Sequence, residues 1–264
     1  MEKKLQKAII YTSTHRSLYI GRLEHVLKRV NVSPVLLISL EGQMTLLGAP
    51  DNRLYHSRSF LIPAGMSVSI QTNGALVAQC FMDDYRQDQA RLIPQMKGRV
   101  DFTEGGSVYF DARDEAGMVY FSNKILQTKP SAEYVFGLYE KWSERAKLEQ
   151  CTVEDERVSK AIRLIKENCD QNISVEEIAR QVDLSVSRLV QLFKQATGTP
   201  IRRFRLWHRI FSTAVKLSKG YSLTDAAVSS GFADYAQFSR VYRKLGGASP
   251  AAAKNNTEIR VFAG

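Results

Sequence analysis

Three cysteines, four histidines and two tryptophans are spread over 264 residues, and each scarcity removes a class of chemistry. Cys80, Cys151 and Cys169 stand far apart, form no C-x-x-C pair and are odd in number. Neither a zinc knuckle nor a disulfide framework is indicated, and reduced thiols are the plain reading. His15, His25, His56 and His208 are scattered, without the close His-x-His and downstream Glu that a barrel-held metal needs. No nucleophile motif or glycine-rich phosphate loop is present, and Gly105-Gly106 reads as a turn. No apolar stretch approaches the ~20 residues of a membrane-spanning helix, and the run Ala8–Tyr11 is too short for a secretion signal. The expectation is a cytoplasmic protein that is not an enzyme and carries no cofactor or metal.

What is abundant is positive charge. Lys and Arg number 37 against 27 Asp and Glu, a net +10. The excess is uneven: residues 153–264 hold 18 basic and 11 acidic residues, net +7, leaving 19 and 16, net +3, for residues 1–152. The C-terminal part is therefore the better candidate for contacting a polyanion.

Two regions differ in pattern. From Pro34 to Phe81 short apolar or alternating runs (35–40, 44–47, 59–62, 66–70 and 76–81) are punctuated by Gly42, Gly48, Pro63, Gly65 and Gly74. That spacing predicts strands of a small sandwich or barrel. Residues 84–93 read as a short helix stopped by Pro94. Residues 131–150 read as a longer helix, with Val135, Leu138, Tyr139 and Trp142 on one face. That face either packs on its own domain or pairs with its copy in a dimer. A linker is expected at 151–156, and from Val158 onward the pattern is almost wholly helical.

The C-terminal part contains an internal repeat. Ser174–Leu184 parallels Ser222–Phe232: each opens on a serine suited to cap a helix, with acidic or polar residues in the first turn. Val175, Ile178, Ala179 and Val182 correspond to Leu223, Ala226, Ala227 and Ser230. Asp183 and Gly231 occupy the sharp turn that follows, where positive φ is needed, and Leu184 and Phe232 plug the core behind it. A second helix follows each turn, with apolar edges at Leu189, Leu192 and Phe193, and at Phe238, Val241 and Tyr242. Two helices joined by a tight turn thus occur twice. Between them, Pro200 to Leu217 predicts a helix of roughly 17 residues and about 25 Å, with Gly220 as its exit. Phe204 and Trp207 on this helix read as core packing.

The residues Ile178-Ala179, Leu189–Phe193, Gly198, Gly231–Asp234, Phe238–Tyr242, Gly247 and Ser249-Pro250 resemble the AraC/XylS regulators, densely over about residues 157–252. The resemblance implies an α+β protein. Residues 1–150 would form a cupin-like β-barrel with flanking helices, serving effector binding or dimerisation. Residues 157–255 would form an all-α DNA-binding domain with two helix-turn-helix units. It implies duplex DNA as partner, with RNA polymerase, a small-molecule effector and a second copy as further partners, and activation as the mode of control. The chain departs from the pattern at Gly246 and Ala253, where the family usually has aromatics.

The outward positions of the two second helices are the candidate base readers: Ser187, Arg188 and Gln191, then Tyr235, Ala236, Ser239 and Arg240. Arg pairs bidentately with guanine and Gln with adenine. Lys194, Gln195, Arg202, Arg243 and Lys244 are the candidate phosphate contacts. The alternatives are a ligand-independent dimeric repressor and an architectural DNA-binding protein.

Overall fold

The computed structural model describes residues 7–13, 16–48, 53–82, 87–102, 106–143, 155–246, 250–251 and 257–262. The expected helical residues 84–86 and 144–150, the linker at 151–154, Cys151, Gly247, Ser249 and Ala253 lie outside them. The chain divides into two compact units, residues 1–149 with 252–264, and residues 150–251.

The first unit contains strands β1 (Ala8–Thr12), β2 (Arg16–Arg22), β3 (Val26–Val30), β4 (Val35–Ser39), β5 (Met44–Leu47), β6 (Leu54–Ser57), β7 (Ser59–Ile62), β8 (Ser67–Gln71) and β9 (Leu76–Met82). Helix α1 (Gln87–Leu92), strands β10 (Met96–Asp101) and β11 (Ser107–Ala112), and helices α2 (Glu115–Thr128) and α3 (Ala132–Ser143) follow. One sheet runs β10-β11-β7-β4-β9-β2-β1 and ends on β12 (Thr257–Val261), which lies parallel to β1; the other runs β3-β8-β5-β6. Among the described residues these are two separate sheets rather than one closed barrel.

Alternation along β4 explains the layers. Val35 and Leu37 point into a core shared with Met44, Leu46, Phe60 and Ile70, which both sheets supply. Ile38 points the other way, toward Ile125 of α2 and Val135 and Phe136 of α3. A strand covered on both faces reads as an unbroken apolar run, which is why 35–40 lacks alternation in the sequence. The apolar face of α3 is thus spent on its own unit, with Val135 buried; the side chain of Trp142 is outside the described set. Arg16 of β2 grips Asp88 of α1 through two 2.8 Å hydrogen bonds and lies over the Tyr139 ring of α3, pinning both helices to the sheet.

The second unit is helical: α4 (Glu156–Glu167), α5 (Val175–Gln181), α6 (Val186–Thr197), α7 (Ile201–Ser218), α8 (Leu223–Ser229) and α9 (Tyr235–Gly246). No described helix is long and apolar enough to cross a membrane.

Candidate nucleic-acid interface

The repeat folds as two trihelical lobes sharing α7. Ser174 accepts from the Glu177 N–H at 3.0 Å and Ser222 from the Asp225 N–H at 3.1 Å, so both serines start their helices as caps. Ser185 caps α6 in the same way through the Arg188 N–H, and Asp234 accepts from the Gln237 N–H at the start of α9. Ile178, Ala179 and Val182 are buried in the first lobe, and Ala226, Ala227 and Ser230 are buried in the second. The small residues let α5 and α8 approach their neighbours, and Ser230 adds a hydrogen bond to Ser212 of α7.

The turns behave as their residues require. Asp183 has φ 54° and Gly231 φ 91°. A side chain at Gly231 would also collide, since a Cβ there would lie 2.7 Å from the Asp170 carbonyl oxygen and 2.8 Å from Arg209 Nε. The turn of the second lobe therefore abuts the α4–α5 turn of the first. Arg209 of α7 fastens that junction by donating from Nε to the Cys169 carbonyl at 2.6 Å and from Nη2 to Asn172 Oδ1 at 2.8 Å. At 18 residues, α7 is about 27 Å long. Phe204 and Trp207 are buried in it as core, Phe204 packing edge-on against Phe193 at 5.2 Å. Lobes cross-braced in this way form one body.

The candidate readers lie where a groove could reach them. Ser187, Arg188 and Gln191 are exposed on α6, and the Arg188 guanidinium donates to Gln191 Oε1 at 3.0 Å, so the two present one polar pair. Ala236 and Arg240 are exposed on α9 and Ser239 is half-buried. Tyr235 is half-buried as well, its ring against Phe238, so only its edge faces outward. Lys194, Gln195, Arg202, Arg243 and Lys244 are all exposed. Gln237 is turned away: its Oε1 accepts from the Ala233 N–H at 2.8 Å.

Two features escaped sequence reading. Val186 and Val190 are exposed on α6, apolar surface beside the polar pair and of the kind that meets thymine methyls. Their signal was present, because neither fits the buried stripe of Leu189 and Phe193. The second is a hollow of about 640 Å³ walled by the start of α5, by Arg202, Arg205 and Arg209 of α7, and by Gln237 and Arg240 of α9. No local pattern announces it, because its walls come from three helices.

In the first unit, the space between the sheets, where a barrel-held effector would sit, is filled by side chains that admit no water, among them Leu37, Leu46, Phe60 and Ile70. A cavity of about 360 Å³ lies instead outside the larger sheet, between Leu36, Ile38 and Cys80 and the helix residues Met118, Phe121 and Phe136.

A helix-turn-helix domain family matches residues 178–256. The arabinose operon regulatory protein of Escherichia coli K12 is 34% identical over 109 residues, covering 40% of this chain and 37% of that protein. Its Salmonella typhimurium counterpart is 35% identical over 98 residues, covering 36% and 35%. The chain thus spans little more than a third of the length of these relatives. Over nearly the whole chain the fold is similar to ToxT from Vibrio cholerae O395, with TM-score 0.58, 15% identity, and coverage of 91% of this chain and 97% of that one. It is also similar to wild-type ToxT bound to an unsaturated fatty acid, with TM-score 0.58, 14% identity, and coverage of 92% and 96%.

Proposed function

We propose that this chain is a regulator of the AraC/XylS type and that it binds specific duplex sites by placing α6 and α9 in successive major grooves, a reading supported by the helix-turn-helix match and the likeness to the arabinose operon regulators. The observation that carries the reading is the pair of capped, polar-faced second helices braced on one rod. Successive major-groove faces on one side of DNA lie about 34 Å apart, and both second helices are anchored on α7, α6 through Phe193 against Phe204 and α9 through Phe238 against Leu206 and Ile210. Base edges would be read by Ser187, Arg188, Gln191, Tyr235, Ala236, Ser239 and Arg240. Lys194, Gln195, Arg202, Arg243 and Lys244 would fix register on phosphates. Selection of bound fragments from random duplex DNA tests this: a recurring site with two short blocks supports it, and recovery of unrelated sequences rejects it.

Control of transcription through RNA polymerase, with activation as its sign, follows from the family resemblance. Run-off transcription from a promoter bearing the selected site measures it, and a fall in transcript on adding protein makes the chain a repressor.

For the first unit the reading is an effector site, supported by the cavity under α2 and α3. Its volume is within the range of small-molecule sites, roughly 300–1,000 Å³. Its walls are almost wholly apolar, and Cys80 holds its proton there because burial pushes the thiol up to about 12. These features favour an uncharged apolar molecule. Titration with 1-aminoanthracene reads this out: saturable one-to-one binding abolished by Ala78→Phe supports the site, and binding indifferent to that change rejects it.

A further inference from the structure

Arg205 lies within the second turn of α7 with Nε and Nη2 both shielded from water and, among the described residues, without a hydrogen-bond partner. Burial draws its pKa down, and Arg209, the charged group that acts on it, is itself a cation and lowers it further. Arg209 is provided for by carbonyls and Asn172, as described above; Arg205 is not. Arg205 is half-buried, and two guanidinium nitrogens shielded from water with no acceptor are costly, a cost that an arriving anion offsets.

The hollow beside it is where an anion would sit. Its wall carries four arginines and a single carboxylate, Glu176, which is exposed. The guanidinium fork matches two phosphate oxygens at once. The position is also informative. The hollow draws on the start of α5 in the first lobe and on α9 in the second, so it lies where the two lobes meet, beside one of the groove-entering helices. Between two successive major grooves on one face of a duplex lies the minor groove, with a sugar-phosphate strand along each of its edges.

We propose that this hollow seats a backbone phosphate of the bound duplex, held by Arg205 with Arg202 beside it. The inference rests on the DNA-binding reading and adds to it a contact where the lobes meet that holds the duplex without reading sequence. Arg240, on the α9 rim, stays with base reading.

The test uses the full chain and Arg205→Met, which keeps the length of the side chain and removes its charge. Without DNA, the variant melts at a higher temperature than the wild type, since an unpaired charge has gone. Inorganic phosphate raises the wild-type midpoint and leaves the variant's unchanged. Affinity for the selected duplex falls about tenfold, equally for all base-substituted sites, and the slope of log K against log salt becomes shallower by about 0.9. Arg205→Lys keeps the slope and loses part of the affinity, because the charge remains and the fork does not. A less stable Arg205→Met that binds DNA with an unchanged slope makes Arg205 a packing residue and overturns the proposal while DNA binding stands. Phosphate stabilisation without any change in DNA binding overturns the duplex assignment. If the methionine variant does not fold, an Arg205→Lys protein with wild-type affinity overturns it equally. Wild-type protein that prefers no duplex sequence removes the underlying reading itself.

Discussion

At the scale of single residues, the two kinds of proposed DNA contact separate by what their loss does. Arg240 is exposed on the first turns of α9, where a guanidinium can pair with guanine O6 and N7. Arg240→Ala therefore costs about 1–3 kcal/mol at one operator position and relaxes preference there alone. Binding to a panel of base-substituted operators shows it, and an unaltered preference at every position removes the assignment. Lys194→Ala weakens all sequences alike and flattens the salt slope by about 0.9; a salt titration with an unchanged slope denies that role. Cys80 gives a different residue-scale expectation. Burial is the main cause that raises its thiol from 9.0 to about 12, with Asp88 adding to it. In native protein at pH 8 it resists alkylation, and in denaturant it reacts. Above pH 9 the unfolded thiol sheds a proton that the folded one keeps, so this site's contribution to stability declines as pH rises from 9 toward 12. Rapid labelling of native Cys80 at pH 8 contradicts the burial.

At the scale of elements, the second unit was legible and much of the first was not, for reasons that lie in the interactions. Ser174 and Ser222 cap their helices through bonds three residues along, so the signal is local. The turn at Gly231 is likewise local in φ, but half of its constraint is not: the Asp170 carbonyl that blocks a side chain is 61 positions away. Gly220 has φ 90°, and a Cβ there would meet nothing within 4 Å. Gly231→Ala must therefore cost more than Gly220→Ala, which bears the left-handed strain alone, about 1–3 kcal/mol. Urea unfolding of the two variants decides, and the reverse order contradicts the packing of the two turns. In the first unit, β4, β5, β7, β8 and β9 follow the apolar runs read from the sequence. Strands such as β2 and β3 carry Arg16, Arg22 and Lys28 among their apolar residues and give no clean alternation. Strand β12 pairs in parallel with a partner some 250 residues earlier, as Ala8 opposite Thr257, and no local pattern encodes that register. Helix α2 contains Gly117 and several aromatic or β-branched residues, which weakens its helical signature although Asp114 caps it.

At the scale of the whole molecule, chemistry and charge divide between the units. The helical unit lies within the basic part of the chain and presents the polar faces of two amphipathic helices, while the sheet unit carries an apolar cleft. The outward positions proposed to read bases were legible as surface because an amphipathic helix displays its outer face in the sequence. The central hollow was not, because Arg205 looks like one more cation in a basic run until α5 and α9 close around it. On the proposed reading, that two-headed architecture makes a geometric demand on DNA: contacts fall on one face of the duplex, in two patches one helical turn apart, because both second helices are anchored on α7. Hydroxyl-radical footprinting of the full chain on its selected site measures this directly. The account predicts two protected patches centred about 10 base pairs apart, one lost with a helix-breaking change in α6 and the other with the same change in α9. A single patch, or patches on opposite faces of the duplex, contradicts it.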